Sequence, residues 1–145
     1  MYRSRRMGYS TLLFLHVTSA FTMVTAAGLF LAIALAQRSE RHSATALRLA
    51  PAAAVLWPIG SLLAIVFGVW LALHDSQYSL GDGWIIAAIV LWAIGGAIGG
   101  RLGAGYRRVT SAGAGADPSA LALNLALIVT LLVILIDMIY KPGAS

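Results

Sequence analysis

The chain has 145 residues, of which 60% are apolar and only 10% charged, with a net charge of +5 and a mean hydropathy of +0.87. Soluble domains carry about a quarter charged residues, so this composition excludes an ordinary water-soluble domain and points to lipid as the solvent. A basic chain in water would suggest nucleic acid, but these arginines flank apolar runs, where they set orientation instead. With no cysteine, disulfides, thiolate metal sites and c-type haem attachment are excluded too.

Residues 1–8 form a short basic tail with Arg3, Arg5 and Arg6, and Met7 offers a second possible start. Tyr9 to Gln37 is then an uncharged apolar run. A span needs about 20 such residues, whereas the apolar region of a cleaved signal is about 7–15 residues long, so the run reads as a retained transmembrane helix. Its one titratable residue beyond Tyr9 is His16, ~10 Å along the helix from Tyr9. A titratable group at that depth turns toward protein or cavity water and is a functional candidate by default. Helical spacing puts Ser19, Ala20, Met23 and Ala27 on or near the same face, so that face points into a bundle.

Three readings of His16 are open: a packed, hydrogen-bonded residue, a ligand to haem or a metal such as copper, and a group that handles protons or substrate. Met23 is a possible second soft ligand.

The polar cluster Arg38 to His42 ends the first helix, after which Ser43 can cap a short helix through Leu49 that Pro51 ends or kinks. A second span is expected at 52–73, bent locally by Pro58. In it Gly60, Ala64 and Gly68 recur every four residues, a stripe along which another helix can approach closely. His74 at its end is a candidate cap, interfacial residue or second axial ligand of a haem, and lies on the same side of the membrane as His16 in an up-down pair. Residues 74–83 read as a hairpin loop.

A third span is expected at 84–102, with Trp84 as an interfacial anchor. It contains two four-spaced glycine series, Gly95, Gly99 and Gly103, and Gly96 and Gly100. Glycine costs about 1 kcal/mol at a helical site in water, so their number implies close packing, within one subunit, in an oligomer or against a flat cofactor. Residues 101–116 read as a basic Gly/Ala-rich loop. Asp117 then caps and Pro118 opens a fourth span, 118–140. Asp137 and Lys141 stand four apart in the favourable order for an ion pair; the alternative is a proton-titrating carboxylate near the same surface as His16.

The fold class is therefore all-α, a single transmembrane domain forming a four-helix up-down bundle. Arg38, Arg41, Arg48, Arg101, Arg107 and Arg108 share one side, against Arg3, Arg5, Arg6 and Lys141 with the termini, which favours termini outside. No nucleotide loop, HExxH helix or SxxK nucleophile occurs.

The segments LLFLHV, IGSLLAIVFGVWLAL, GDGWIIAAIVLWAIGGAIG and the closing DMIYKPG together resemble bacterial membrane proteins of the domain of unknown function 2269 family. The resemblance covers residues 7–143 and implies a four-helix protein of the cytoplasmic membrane. Such proteins are distantly similar to copper-resistance membrane domains and to haem-associated protoporphyrinogen oxidases, which carry a histidine in helix one. The third span here has no lysine, which those oxidases carry, so the resemblance implies a haem ligand at His16 and not their activity. The expected function is binding of b-type haem or a metal through His16. The alternatives are an accessory or scaffold subunit of a larger membrane complex, and a small transporter or proton-handling protein. Expected partners are the bilayer and either a second copy or that complex.

Overall fold

The computed structural model describes residues 2–38, 43–74, 81–113 and 117–140, with side chains from residue 8 in the first helix and from residue 44 in the second. These residues form five helices and no strand: α1 (Tyr2–Ala36), α2 (Ser43–Leu47), α3 (Ala50–His74), α4 (Gly83–Ala112) and α5 (Ala120–Tyr140). In α1, α3, α4 and α5, the segments Gly8–Ala36, Ala50–His74, Gly83–Ala112 and Ala120–Tyr140 are long and apolar enough to cross a membrane. Their outward faces carry large apolar groups, Phe14 and Phe21 each at 68% exposure, an arrangement that lipid tolerates and water does not.

Hydroxyl residues inside these helices satisfy themselves locally. Thr18, Ser19, Thr22 and Thr25 donate to the carbonyls one turn back, Phe14, Leu15, Thr18 and Phe21, at 2.7–3.0 Å. Thr130 does the same to Ala126. In a medium without hydrogen-bonding partners this is how a polar side chain is carried at low cost.

The helices meet through small residues. α1 and α3 form the most extensive pair and run antiparallel, since Gly60 lies against Thr22 and Met23, Gly68 against His16 and Gly8 against His74. At Gly60 an added Cβ would come within 2.9 Å of the Met23 backbone nitrogen. α3 meets α4 where Trp57 covers Gly99 and Ala54 abuts Gly103, while Trp92 Nε1 donates to Ser61 O at 3.0 Å. α4 meets α5 at Gly95, against Thr130 and Leu127.

One of the two glycine series of α4 is therefore buried in the subunit and the other is not. Gly95, Gly99 and Gly103 are covered, whereas a Cβ at Gly96 or Gly100 would meet nothing within 4 Å.

The core lies toward one end, where α1 and α4 finish and α3 and α5 begin. Phe30, Ile33, Ala50, Trp57, Tyr106 and Leu127 dominate it. Phe30 stands 5.6 Å from Tyr106 and 6.4 Å from Trp57, ring centre to ring centre.

Several boundaries differ from the sequence reading. α1 begins at Tyr2 rather than near residue 9, because arginine and methionine favour helix and no proline interrupts. The span expected at 52–73 extends over Ala50–His74, with Pro58 inside it. Pro51 sits in its first turn, where the missing N–H has no helical partner to lose. The largest correction is at 101–112, read as a loop. There α4 continues through Ala112, because Leu102, Gly103 and Tyr106 are buried against neighbouring helices. The helix ends only at Gly113, whose φ of 60° is the left-handed stop that favours glycine. Trp84 stands in the first turn of α4, buried at 6% exposure. α5 begins at Ala120 rather than at Pro118, and Asp117 caps the turn that leads into it, its Oδ1 accepting from Ser119 N at 2.9 Å and from Ser119 Oγ at 2.6 Å. The side chain of Ser43 and residues 75–80 of the connector lie outside the described residues.

Gly99→Ala should destabilise the protein by about 1–3 kcal/mol, the usual cost of overpacking, because the indole of Trp57 occupies the place of the new methyl group. Gly96→Ala and Gly100→Ala should leave the melting temperature in detergent unchanged or slightly raised, and thermal unfolding of the three variants checks this. The Asp117 carboxyl is held below its ordinary value by the hydrogen bonds from Ser119 Oγ and N. A depressed carboxyl contributes stability above its unfolded value and loses it as pH falls through the folded one. The melting-temperature difference between wild type and Asp117→Ala should accordingly be present at neutral pH and vanish in acid.

Candidate functional site

His16 sits on the face of α1 that meets α3, half-buried. Its ring lies over Gly68, where a Cβ would come within 2.9 Å of Cε1 and 3.2 Å of Nδ1. The absence of that Cβ is what makes room for the imidazole between the two backbones. Nδ1 lies 3.0 Å from the Ala64 carbonyl oxygen. A carbonyl only accepts, so this bond places the proton on Nδ1 and the free lone pair of a neutral imidazole on Nε2. Ala64 O is one helical turn before Gly68, and its second lone pair serves the helix ladder.

His74 has a separate place. Its Nε2 lies 3.8 Å from where a Cβ of Gly8 would be, and the residue is exposed at the end of α3. Gly8 and His16 are ~12 Å apart along α1, so the two imidazoles rest on different turns of the same helix pair. Met23 is in the core at 5% exposure, packed with Ala26, Ala27 and Ala64. Among the described residues no group of three or more His, Cys, Asp or Glu is gathered as a metal site. Gly60, Ala64 and Gly68 all face α1, and Gly95 and Gly99 face α5 and α3, while Gly96 and Gly100 face none of the other helices. Asp137 is 9% exposed; Lys141, its expected partner, lies outside the described residues, as does His42.

A second polar constellation escaped the sequence reading. The Tyr106 hydroxyl donates to Phe30 O at 3.1 Å and accepts from Asn124 Nδ2 at 3.3 Å. Asn124 Nδ2 also donates to Ala120 O at 2.8 Å. The three groups tie α1, α4 and α5 together at the densely packed end. Asn124 Oδ1 is buried there without a hydrogen-bond partner among the described residues. The signal available in the sequence was Asn124 itself, a strongly polar amide in an apolar span. Its partner was hidden because Tyr106 fell in the stretch taken for a loop.

No family model matches the chain, and no curated protein or solved structure matches it either. The functional reading therefore stands on the residues themselves.

The ring of His16 is the tip of a rotatable side chain, so Gly68→Ala should move the ring rather than part the helices. The expected result is loss of the slowly exchanging Nδ1 proton in nitrogen-edited NMR. The accompanying loss of stability should be about 0.5–1.5 kcal/mol, the net value of one hydrogen bond. Gly60→Ala, which presses on the Met23 backbone instead, should cost more stability and leave that proton in place.

Proposed function

We propose that the chain is a multi-pass protein of the bacterial cytoplasmic membrane. In this reading α1, α3, α4 and α5 form an up-down bundle with the termini outside, and His16 supplies one imidazole ligand to b-type haem or to a metal such as copper. The observation that carries the reading is the hydrogen bond from His16 Nδ1 to Ala64 O. Ligating histidines characteristically donate their other ring N–H to a carbonyl or carboxylate, which sets the tautomer and the ring plane and makes Nε2 the donor to the metal. The cradle at Gly68 is consistent with that role, since it positions the ring without burying it completely.

The described residues offer one imidazole donor at this position. In a chain without cysteine, histidine is the strongest haem-type ligand present. No three-residue metal cage accompanies it among the described residues. His16 is thus one ligand of a group held chiefly by apolar contact. A bound haem or copper would supply electron transfer or binding of a small ligand. The protein's part is to present Nε2, fix its orientation through Ala64 and keep water away with the surrounding apolar surface. His74, one helix end away, is available as a second ligand only through rearrangement of the α1–α3 pair.

The test is an absorption spectrum of protein purified with haem supply, oxidised and reduced, together with metal analysis. A Soret band or stoichiometric copper should be present in wild type, be lost in His16→Ala and survive in His42→Ala. A colourless, metal-free wild type, or an unchanged spectrum in His16→Ala, overturns the ligand role and leaves an accessory subunit of a larger complex as the better reading.

A further inference from the structure

The inward face of α5 carries Asn124, Thr130 and Asp137, and of these only Asp137 bears an ionisable group. Its residue exposure is 9%, and Oδ2 is completely buried without a hydrogen-bond partner among the described residues. Two helices pack on α5 to a significant extent, α1 and α4. The antiparallel register set by Tyr106 with Asn124 and Gly95 with Thr130 carries Asp137 toward the first turns of α4. Residues Gly83 to Gly100 of α4 contain no charged or titratable side chain. Its cations, Arg101, Arg107 and Arg108, are exposed at the opposite end. From Gly8 to Ala36, α1 contains only Tyr9 and His16, and His16 Nδ1 is committed to Ala64 O. On α5 itself the other titratable group is Tyr140, at 78% exposure, and on α3 it is His74, placed against Gly8.

In an ionised carboxylate so placed, Oδ2 has lost water and gained no donor among the described residues, a cost of several kcal/mol. Three species can relieve it: a cationic side chain, a metal ion or a proton. No described cation faces it. Hard metal ions take about six oxygen ligands, and among the described residues Asp137 belongs to no group of three or more His, Asp or Glu that could hold one. We propose that Asp137 is a proton-binding site, its carboxyl carrying a proton at neutral pH within the bundle. The buried Oδ2 then belongs to a neutral acid. The step is simple uptake, a proton from the adjacent aqueous phase forming one O–H bond and cancelling one negative charge. This site is independent of the haem or metal reading at His16.

Infrared spectroscopy of the full chain in lipid nanodiscs, with aspartate carbon-13 labelled at the side-chain carboxyl, decides the matter. At about pH 7 solvated aspartates are ionised, and loss of the protonated-carboxyl C=O stretch in Asp137→Asn assigns that band to Asp137. The expected result is that this band is present in wild type, shifts on deuteration, disappears in Asp137→Asn and persists in Lys141→Gln. Absence of the band in wild type overturns the proposal, as does its persistence in Asp137→Asn. A band that appears only when Lys141 is replaced overturns it in favour of an ion pair with Lys141. If Asp137→Asn fails to fold, the wild-type and Lys141→Gln spectra still decide.

Discussion

The closest backbone approach among the packed glycines is that of α1 to α3 along Gly60, Ala64 and Gly68, and the rest of the structure depends on it. Lipid tails are as apolar as leucine, so helices within a bilayer gain little from hiding apolar surface from one another, and they associate through close packing and polar contacts instead. Gly60 brings α3 against the Met23 nitrogen, and Gly68 leaves the space that the His16 ring fills. The same principle docks the remaining helices. Trp57 projects from α3 onto Gly99 of α4, and Gly95 of α4 receives Thr130 and Leu127 of α5. In each contact a missing Cβ on one helix is filled by a side chain or the backbone of the next, whereas a Cβ at Gly96 or Gly100 would touch no described neighbour within 4 Å.

Polar groups are handled differently at the two ends of the helix assembly. At the end where α1 and α4 finish, the aromatic cluster of Phe30, Trp57 and Tyr106 closes the interior, and Tyr106 with Asn124 clamps three helices by hydrogen bonds. The other end has a thinner core and holds His16, His74 and Asp137. His16 makes a single bond through one nitrogen, and Asp137 has an oxygen with no described partner. Stability and the two proposed sites are thus segregated along the helix axes. Groups that must exchange a ligand or a proton sit where fewer contacts hold them, as expected of functional positions drawn from the less stable parts of a fold.

The α4 extension connects these features. A helix of 30 residues is ~45 Å long, well beyond the ~30 Å of hydrocarbon. Its last turns carry Tyr106 into the densely packed end, and the charges of Arg101 and Arg108 act on Asp117 in the turn that leads into α5. Without that extension α1 and α5 would lose their hydrogen-bonded tie.

The amino-acid sequence alone determined the all-helical class, the four long apolar segments and the isolation of His16, because charge exclusion and apolar run length are local properties, legible residue by residue along the chain. It also marked Gly60, Ala64 and Gly68 as a small-residue stripe and Asp117 as a cap. Three things were decided only by tertiary structure. Which glycine series of α4 is covered depends on where Trp57 and Thr130 arrive from other helices, and both series have the same spacing. That residues 101–112 are helical depends on Tyr106 finding Phe30 and Asn124, a gain that offsets the poor local propensity of a glycine-rich stretch. The tautomer of His16 and the lack of a described partner for Asp137 depend on which carbonyl or empty surface a neighbouring helix presents, and no periodicity within one helix contains that information.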